Sequence, residues 1–284
     1  SVGFEYEHAS AEQWDGVKDR QMVTQTQISD FRAQGAVLLK GVLNDHIDEA
    51  RQAIEQNIAT PSWRERTYRP EDGTAPFFQD YVVWNQFDGY RNLVKKSPLA
   101  KIAAQLMSSE TARIFHDHIL VKEPGNSIVT PWHQDQPYYL VDGAQNVSFW
   151  IPLDPISRDR TIEYISGSHL WGKSFKPKRF DGSDLFEGDT SESIPDIDAR
   201  RQDLDILGWE MEPGDAVAFN FRTLHGAPAN TSTSRRRVIS LRWVGDDAVF
   251  IQRRGTPSPA FPDLNYEDGA PFTGPEFPII YPTV

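Results

Sequence analysis

The chain has 284 residues, 38% apolar and 25% charged, which is the balance of a globular protein with an ample core. With 29 basic and 41 acidic side chains, its formal net charge is −12, which argues against nucleic acid as a partner. It contains no cysteine, which excludes disulfides, zinc fingers, iron–sulfur clusters and thiolate nucleophiles. Any metal must therefore be bound by His, Asp or Glu.

Targeting and membrane signals are absent from the printed sequence. The first twenty residues are polar, and no apolar run reaches the ~18 residues that a membrane-spanning helix needs. We therefore expect a cytoplasmic protein without a membrane anchor. The length suits either one large β domain or two smaller domains, and it does not indicate an oligomeric state.

Helical patterns occupy the front of the chain. Residues 26–34 are predicted to form a short helix, and residues 36–39 a buried strand. Asn44 is expected to cap an amphipathic helix over residues 45–59, and a third helix is expected over residues 98–107.

After residue 107 the sequence consists of short apolar runs separated by Pro, Gly, Asn and Asp, which is typical of strands. Helices followed by many short strands indicate a sandwich or barrel core with helices packed on one side. The predicted strands cover residues 112–122, 146–153, 161–165, 216–219 and 238–244.

A long polar segment, residues 171–207, interrupts the strands. Segments of this length without clear secondary structure often serve as binding loops or lids. This one contains a basic cluster that either binds an anionic substrate or forms a solvated face, and the cluster consists of Lys173, Lys176, Lys178 and Arg179.

Two histidines open a His-X-Asp pattern, which supplies half of a two-histidine, one-carboxylate metal site. His46 and Asp48 fall in a predicted helix, where residues two apart point in different directions and cannot share an ion. His133 and Asp135 lie between prolines that favour extended backbone, where alternate side chains share a face. We therefore interpret His133 and Asp135 as candidate ligands and His46 as a surface residue.

A third ligand must come from elsewhere in the chain. His225 follows a turn and a predicted strand, a usual place for site residues. Eleven residues later, Arg236 lies near the start of the next strand, and an arginine fork suits bidentate binding of a carboxylate. The alternative is that the arginine run 235–237 forms an exposed basic edge.

The order and spacing of these residues resemble those of the phytanoyl-CoA dioxygenase family of iron(II)- and 2-oxoglutarate-dependent oxygenases. The resemblance covers roughly residues 26–243. It is carried by short motifs, which are Lys122-Glu123-Pro124-Gly125, Trp132-His133-Gln134-Asp135, Phe149-Trp150-Ile151-Pro152-Leu153-Asp154, Gly167-Ser168-His169, and His225 followed by Asn230, Ser232 and Arg236.

The resemblance implies a mainly β fold with supporting helices, namely the double-stranded β-helix or cupin-like jelly roll. It implies one oxygenase domain over residues 1–284. Its expected parts are a helical front at about 26–107, a β core at about 112–245, the loop at about 171–207 and a C-terminal extension at about 246–284.

The resemblance also implies roles for individual residues. His133, Asp135 and His225 would be the catalytic residues that bind iron(II), and Arg236 would bind the distal carboxylate of 2-oxoglutarate. With O2, such a site hydroxylates or otherwise oxidises a C–H bond of a small to medium organic substrate, with release of succinate and CO2.

Further residues are expected to line the co-substrate and substrate pockets. Gln134 and Trp150 match positions that line the co-substrate pocket in the family, whereas Ala227 stands where a serine that contacts the co-substrate is common. Candidate walls of the substrate pocket are mostly aromatic and comprise Phe77, Phe78, Gln79, Tyr81, Trp84, Asn85, Tyr138 and Tyr139.

Two alternatives remain open. A cupin-type metal enzyme that does not use 2-oxoglutarate would bind its metal through His116, His118 and Glu123. On the predicted strand, we expect one of these two rings to face the barrel interior and the other to face solvent. A non-catalytic jelly-roll binding protein would need none of these ligands.

Overall fold

The computed structural model describes residues 22–179 and 181–283, so residues 1–21, counted above as part of the domain, lie outside the described residues. Within that part of the chain, the helices gather at the front, as predicted. They are α1 (Gln25–Gln34), α2 (Ile47–Ala59), α3 (Asp88–Lys96) and α4 (Leu99–Met107), of which α3 was not predicted.

The second helix begins later than predicted. A 3-10 turn at Asn44–His46 precedes α2, and the Asn44 side chain makes no capping hydrogen bond. It lies instead against Gly214, and the neighbouring Leu43 N donates to Gly214 O at 2.9 Å. A tertiary contact therefore sets the start of this helix, and His46 ends the turn before it.

The strands form two main sheets in which neighbouring strands are antiparallel. The strands are β1 (Ala36–Leu39), β2 (Arg66–Tyr68), β3 (Phe77–Tyr81), β4 (Ala112–Lys122), β5 (Thr130–His133), β6 (Val141–Asp142), β7 (Asn146–Pro152), β8 (Glu163–Ile165), β9 (Ile206–Leu207), β10 (Ala216–Phe219), β11 (His225–Ala227), β12 (Arg236–Val244), β13 (Val249–Phe250) and β14 (Ile279–Tyr281). The larger sheet has the order β1-β10-β7-β12-β4-β3-β2, with β14 also paired to β4, and the smaller has the order β5-β11-β8-β9. The crossovers between distant strands are those of the predicted jelly roll.

Strand β12 shows how the larger sheet separates its core from its cavity. Ile239, Leu241 and Trp243 belong to the main hydrophobic core, which includes residues of all four helices described above. The alternate residues of β12 line a cavity on the other face, because successive side chains of a strand point to opposite faces. These alternate residues are Arg236, Val238, Ser240 and Arg242.

The segment after β12 packs onto the β core. Strand β14 pairs with β4, and Phe250, Phe272 and Phe277 form a second cluster with Phe115 and Phe221. No helix in the described part of the chain is long and apolar enough to cross a membrane.

Candidate active site

Two adjacent strands of the smaller sheet bring the predicted histidines together. His225 of β11 lies directly opposite His133 of β5 in the antiparallel register. Asp135 lies just beyond the end of β5 and has helical dihedral angles, with φ −78° and ψ −38°. Its N–H donates to Phe221 O at 2.9 Å, which fixes this bend. A turn at the strand end, and not the extended backbone that we expected, therefore places Asp135 beside His133.

The three side chains converge on one point. Asp135 Oδ1 lies 3.3 Å from His133 Nε2 and 3.4 Å from His225 Nε2. The other ring nitrogens face backbone carbonyls, with His133 Nδ1 2.7 Å from Pro131 O and His225 Nδ1 2.9 Å from Thr223 O. Because Nδ1 donates in these bonds, Nε2 is the ring nitrogen left to bind an ion beside Asp135 Oδ1. The donor set fits iron(II), whose two-histidine, one-carboxylate sites leave positions open for other ligands.

The charges at this point also favour metal binding. Burial alone would raise the pKa of Asp135, but His225, His133 and Arg242 outweigh it and hold that pKa well below its usual range. Burial and the neighbouring His133 lower the pKa of His225. An ionised carboxylate and neutral imidazoles are the forms that bind a metal ion.

The cluster opens onto a cavity of about 360 Å³ between the two sheets. Tyr81, Tyr138, Tyr139 and Trp150, all expected at a pocket wall, line it. Phe78, also expected there, packs into the main core on the other face of the larger sheet.

Arg236 lies in the wall of this cavity and is buried. Its guanidinium donates to Arg160 O at 3.0 Å and to Pro228 O at 2.9 Å, and no carboxylate of the described residues pairs with it. Burial lowers its pKa to about 10, so it stays charged at neutral pH. A buried cation without an anionic partner is the feature expected of an anion-binding site.

The neighbouring arginines point away from the cavity. Arg235 bonds to Glu55 and Glu123, and Arg237 bonds to Asp154 at 2.7 Å. Successive arginine side chains therefore point to opposite faces, and this rules out the hypothesis that the whole run 235–237 is an exposed basic edge.

Gln134 does not lie where we expected it. Its amide N–H groups donate to Lys173 O and Arg222 O, both at 3.0 Å, and its Oε1 accepts from Phe175 N at 2.9 Å. The Gln134 side chain is buried, and it is not among the residues that line the cavity. Since Asp135 turns off the strand, Gln134 points to the long loop 171–207 and anchors it to the metal-binding segment.

His116 and His118 are both in the cavity wall, so the expectation that one ring faces solvent is wrong. Residues two apart on β4 share a face, and the intervening Asp117 points the other way, accepting from Val83 N and Trp84 N. Among the described residues, the one group of three metal-ligand side chains that converges is His133, Asp135 and His225. The cupin-type triad with Glu123 is therefore not assembled.

The burial of His116 leads to a prediction about stability. Burial, reinforced by Arg242, holds the pKa of His116 well below the usual imidazole value of about 6.5. The unfolded chain therefore takes up a proton that the folded chain does not, and the free energy of unfolding falls as the pH drops below about 6.5.

Replacement of His116 by asparagine should remove up to about 1.4 kcal/mol per pH unit of this dependence. Denaturant unfolding of the metal-free protein between about pH 7 and pH 5 measures it. Equal pH slopes for the two proteins would contradict the prediction.

The sequence analysis did not predict two further polar residues of the cavity, Lys122 and Arg242, which are both buried and in its wall. Tyr139 was expected there as an aromatic surface, and its hydroxyl also accepts a hydrogen bond from Arg242 Nε. The missed signal was the period of two along β4 and β12, which places Lys122 and Arg242 on the same face as His118 and Arg236.

Comparison with known proteins agrees with this architecture. The chain is 27% identical over 147 residues to a probable phytanoyl-CoA dioxygenase of Caenorhabditis elegans, which covers 50% of this chain and 46% of that protein. It is 24% identical to a 2-aminoethylphosphonate dioxygenase from an uncultured bacterium, covering 78% and 81% of the two chains.

A solved structure shares the fold. The non-haem alpha-ketoglutarate-dependent carbocyclase SnoK from nogalamycin biosynthesis superposes with a TM-score of 0.70 at 23% identity, covering 91% of this chain and 96% of that one. The chain spans about half the length of the Caenorhabditis elegans relative. Residues 31–238 match the phytanoyl-CoA dioxygenase family, and the chain belongs to that family.

Proposed function

We propose that the protein is a dioxygenase that binds iron(II) through His133, Asp135 and His225, binds 2-oxoglutarate through Arg236, and oxidises a C–H bond of a small to medium organic substrate. The observation that carries the proposal is the convergence of Asp135 Oδ1 with the two Nε2 atoms within 3.4 Å, in a cavity whose wall also holds Arg236. The cytoplasmic location stays a prediction of the sequence.

The overall reaction consumes one O2 and one 2-oxoglutarate for each substrate. Bound iron(II) supplies the redox chemistry: one oxygen atom enters the succinate, the other enters the substrate, and CO2 leaves. The chain itself orients the reactants and excludes water. The Nδ1 hydrogen bonds hold the rings of His133 and His225, Arg236 orients the co-substrate carboxylate, and Trp150 and Phe219 supply apolar wall.

Anaerobic addition of iron(II) and 2-oxoglutarate tests the proposal without a known substrate. We expect a visible metal-to-ligand charge-transfer band that requires both additions. A cupin-type enzyme would bind the metal without this band, and a binding protein would show neither. Absence of the band from protein that still binds iron(II) would exclude 2-oxoglutarate as the chelating co-substrate.

The charge of the cavity supports a narrower substrate class. The chain as a whole is acidic, with a net charge of −12. The cavity wall is basic by contrast: its described residues include seven Lys and Arg side chains and a single carboxylate, that of Asp135. Four of the cations form what we call the cationic rim, on β2 and on the loop: Arg66, Lys176, Lys178 and Arg179.

Two residues of the cationic rim are open to a ligand. Arg66 and Lys178 are exposed, and neither forms an ion pair with a carboxylate of the described residues, whereas Lys176 pairs with Asp184 at 3.4 Å. The loop is fixed at this point, because Tyr138 Oη donates to Lys178 O and accepts from Lys178 N. We therefore propose a substrate with an anionic group, and the name of the 2-aminoethylphosphonate dioxygenase gives a compound with an anionic phosphonate group as the substrate of that relative.

A turnover screen of matched pairs, each a carboxylate and its neutral amide, tests this substrate class by mass-spectrometric detection of an added oxygen. We expect turnover of acids in preference to amides. In the Arg66→Ala/Lys178→Ala double variant, KM for such an acid should rise up to about 30-fold, since each exposed pair contributes at most about 1 kcal/mol. Added salt should reduce the difference.

Lys173→Ala is the matched control. Lys173 belongs to the same basic cluster, but its Nζ pairs with Glu192 at 3.2 Å, and it is not in the cavity wall. Its loss should leave KM unchanged. Equal turnover of acids and amides would refute an anionic substrate.

A further inference from the structure

Arg242 is a buried cation next to the candidate metal site. It lies on β12 three alternate positions beyond Arg236, on the same face, and is 6% exposed. Its Nη2 lies 3.6 Å from Asp135 Oδ2, and its Nε donates to Tyr139 Oη at 2.9 Å.

The two oxygens of Asp135 have different surroundings. Oδ1 faces the Nε2 atoms of His133 and His225, at 3.3 and 3.4 Å. Oδ2 is buried without a hydrogen-bond partner, and the cation that approaches it is Arg242. The carboxylate is therefore oriented with one oxygen toward the metal position and the other toward the arginine.

Tyr139 holds the arginine in turn. Its ring makes edge contacts with Phe115, His116 and Phe221, with centroids 4.9 to 5.2 Å apart, and its N–H donates to Gln136 O at 3.1 Å. Because these contacts hold the Tyr139 ring in place, its hydroxyl can fix the Arg242 side chain by accepting a hydrogen bond from Arg242 Nε. Arg242 thus has one nitrogen held by Tyr139 and one directed at Asp135.

We propose that Arg242 is a positioning residue that restricts Asp135 to presenting Oδ1 to the metal, with Tyr139 holding Arg242 in place. The inference rests on the proposed function, since it takes Asp135 as a metal ligand. A carboxylate that presented both oxygens would occupy a position that this type of site keeps open for other ligands. Groups that orient metal ligands typically contribute 10- to 100-fold to metal affinity.

The charge of Arg242 and its positioning role have opposite consequences for metal binding. By charge alone, a cation next to the site repels the metal ion, so its removal would strengthen binding. A positioning role means that removal weakens binding, because Asp135 Oδ2 loses the group that holds it. The sign of the change therefore decides between the two.

Titration of the metal-free protein with Co(II) alone tests the proposal, because the visible spectrum of Co(II) reports its coordination and no co-substrate is needed. In Arg242→Met, which keeps the length of the side chain without its charge, we expect about 10- to 100-fold weaker Co(II) binding and an altered spectrum. Arg242→Lys should recover part of the affinity, and Tyr139→Phe should change the spectrum in the same direction by a smaller amount. Arg237→Met is the matched control and should bind as the wild type, since Arg237 pairs with Asp154 on the other face.

Unchanged or tighter Co(II) binding by Arg242→Met would overturn the proposal. The same holds if its only defect is a raised KM for 2-oxoglutarate or substrate, since the unpartnered Arg242 Nη1 would then contact one of them directly. If Arg242→Met does not fold, Tyr139→Phe and Arg242→Lys decide: wild-type affinity and spectrum in both overturn the proposal. Failure of the wild type to bind Co(II) would instead refute the proposed function.

Discussion

Replacement of His225 by alanine is expected to abolish the charge-transfer band of the anaerobic iron(II)–2-oxoglutarate complex and to abolish turnover with it. His225 Nε2 lies 3.4 Å from Asp135 Oδ1, and its removal leaves one imidazole and one carboxylate for the ion. Because loss of a group that merely orients a ligand costs 10- to 100-fold in metal affinity, loss of the ligand itself should cost more than about 100-fold. Absorbance titration with iron(II) in the presence of 2-oxoglutarate measures the effect.

The result needs a control for folding, since the His225 ring packs 4.8 Å from the Phe219 ring. His225→Gln keeps a polar side chain of similar size and should lose the band equally. His46→Ala should leave the band unchanged, because His46 ends a surface turn and Asp48, its partner in the His-X-Asp pattern, pairs with Arg51 at 3.1 Å. Retention of wild-type iron affinity in both His225 variants would remove His225 from the metal site.

Arg236→Ala is expected to raise KM for 2-oxoglutarate without changing the affinity for metal alone. Loss of one partner of a buried, hydrogen-bonded charge pair costs about 2–5 kcal/mol, which corresponds to about 30-fold or more in KM. Arg236→Lys should recover part of this, since an ammonium keeps the charge but not the planar fork. Succinate formation as a function of 2-oxoglutarate concentration gives KM, and Co(II) titration gives the metal affinity.

The two neighbours of Arg236 are matched controls on the same strand. Arg235 and Arg237 bond to carboxylates outside the cavity, so their alanine variants should keep the wild-type KM for 2-oxoglutarate. Thermal melting of the co-substrate-free proteins checks the fold, because Arg236→Ala leaves the Arg160 carbonyl without its guanidinium donor, whereas Pro228 O still accepts from Lys122 Nζ. A KM that rises equally for all three variants would point to a general loss of charge and not to a specific carboxylate site.

The site divides its tasks between the two sheets. The smaller sheet and the turn after it supply His133, Asp135 and His225, whereas one face of β12 supplies Arg236 and Arg242. In the proposed function, metal binding and co-substrate binding therefore depend on different strands. This separation is why the Arg236 variants are expected to change KM while the His225 variants are expected to change metal affinity.

Part of this could be predicted because it depends on local sequence. Strand β4 was predicted with its observed bounds because its apolar run is long and lies between turn residues. The prolines beside His133 indicated an extended backbone, and His133 does lie on β5, but the bend at Asp135 was not predicted. The absence of cysteine restricted any metal site to His, Asp and Glu.

Other features depend on contacts between residues far apart in the chain. Asn44 was expected to cap a helix, but its side chain lies against Gly214. Gln134 was expected in the co-substrate pocket, but a bend held by Phe221 O turns it toward the loop.

The sequence by itself indicated a β core with helices packed on one side, because hydrophobic periodicity and turn residues specify it. Its ordered motifs pointed to His133, Asp135 and His225 through their resemblance to the family. Only the tertiary structure decided which side chains share the cavity. The packing of the two sheets against each other brings Arg242 within 3.6 Å of Asp135, and seven of the 29 basic side chains of this acidic chain line the same cavity. Neither proximity is visible in sequence spacing, since Asp135 and Arg242 are separated by more than one hundred residues.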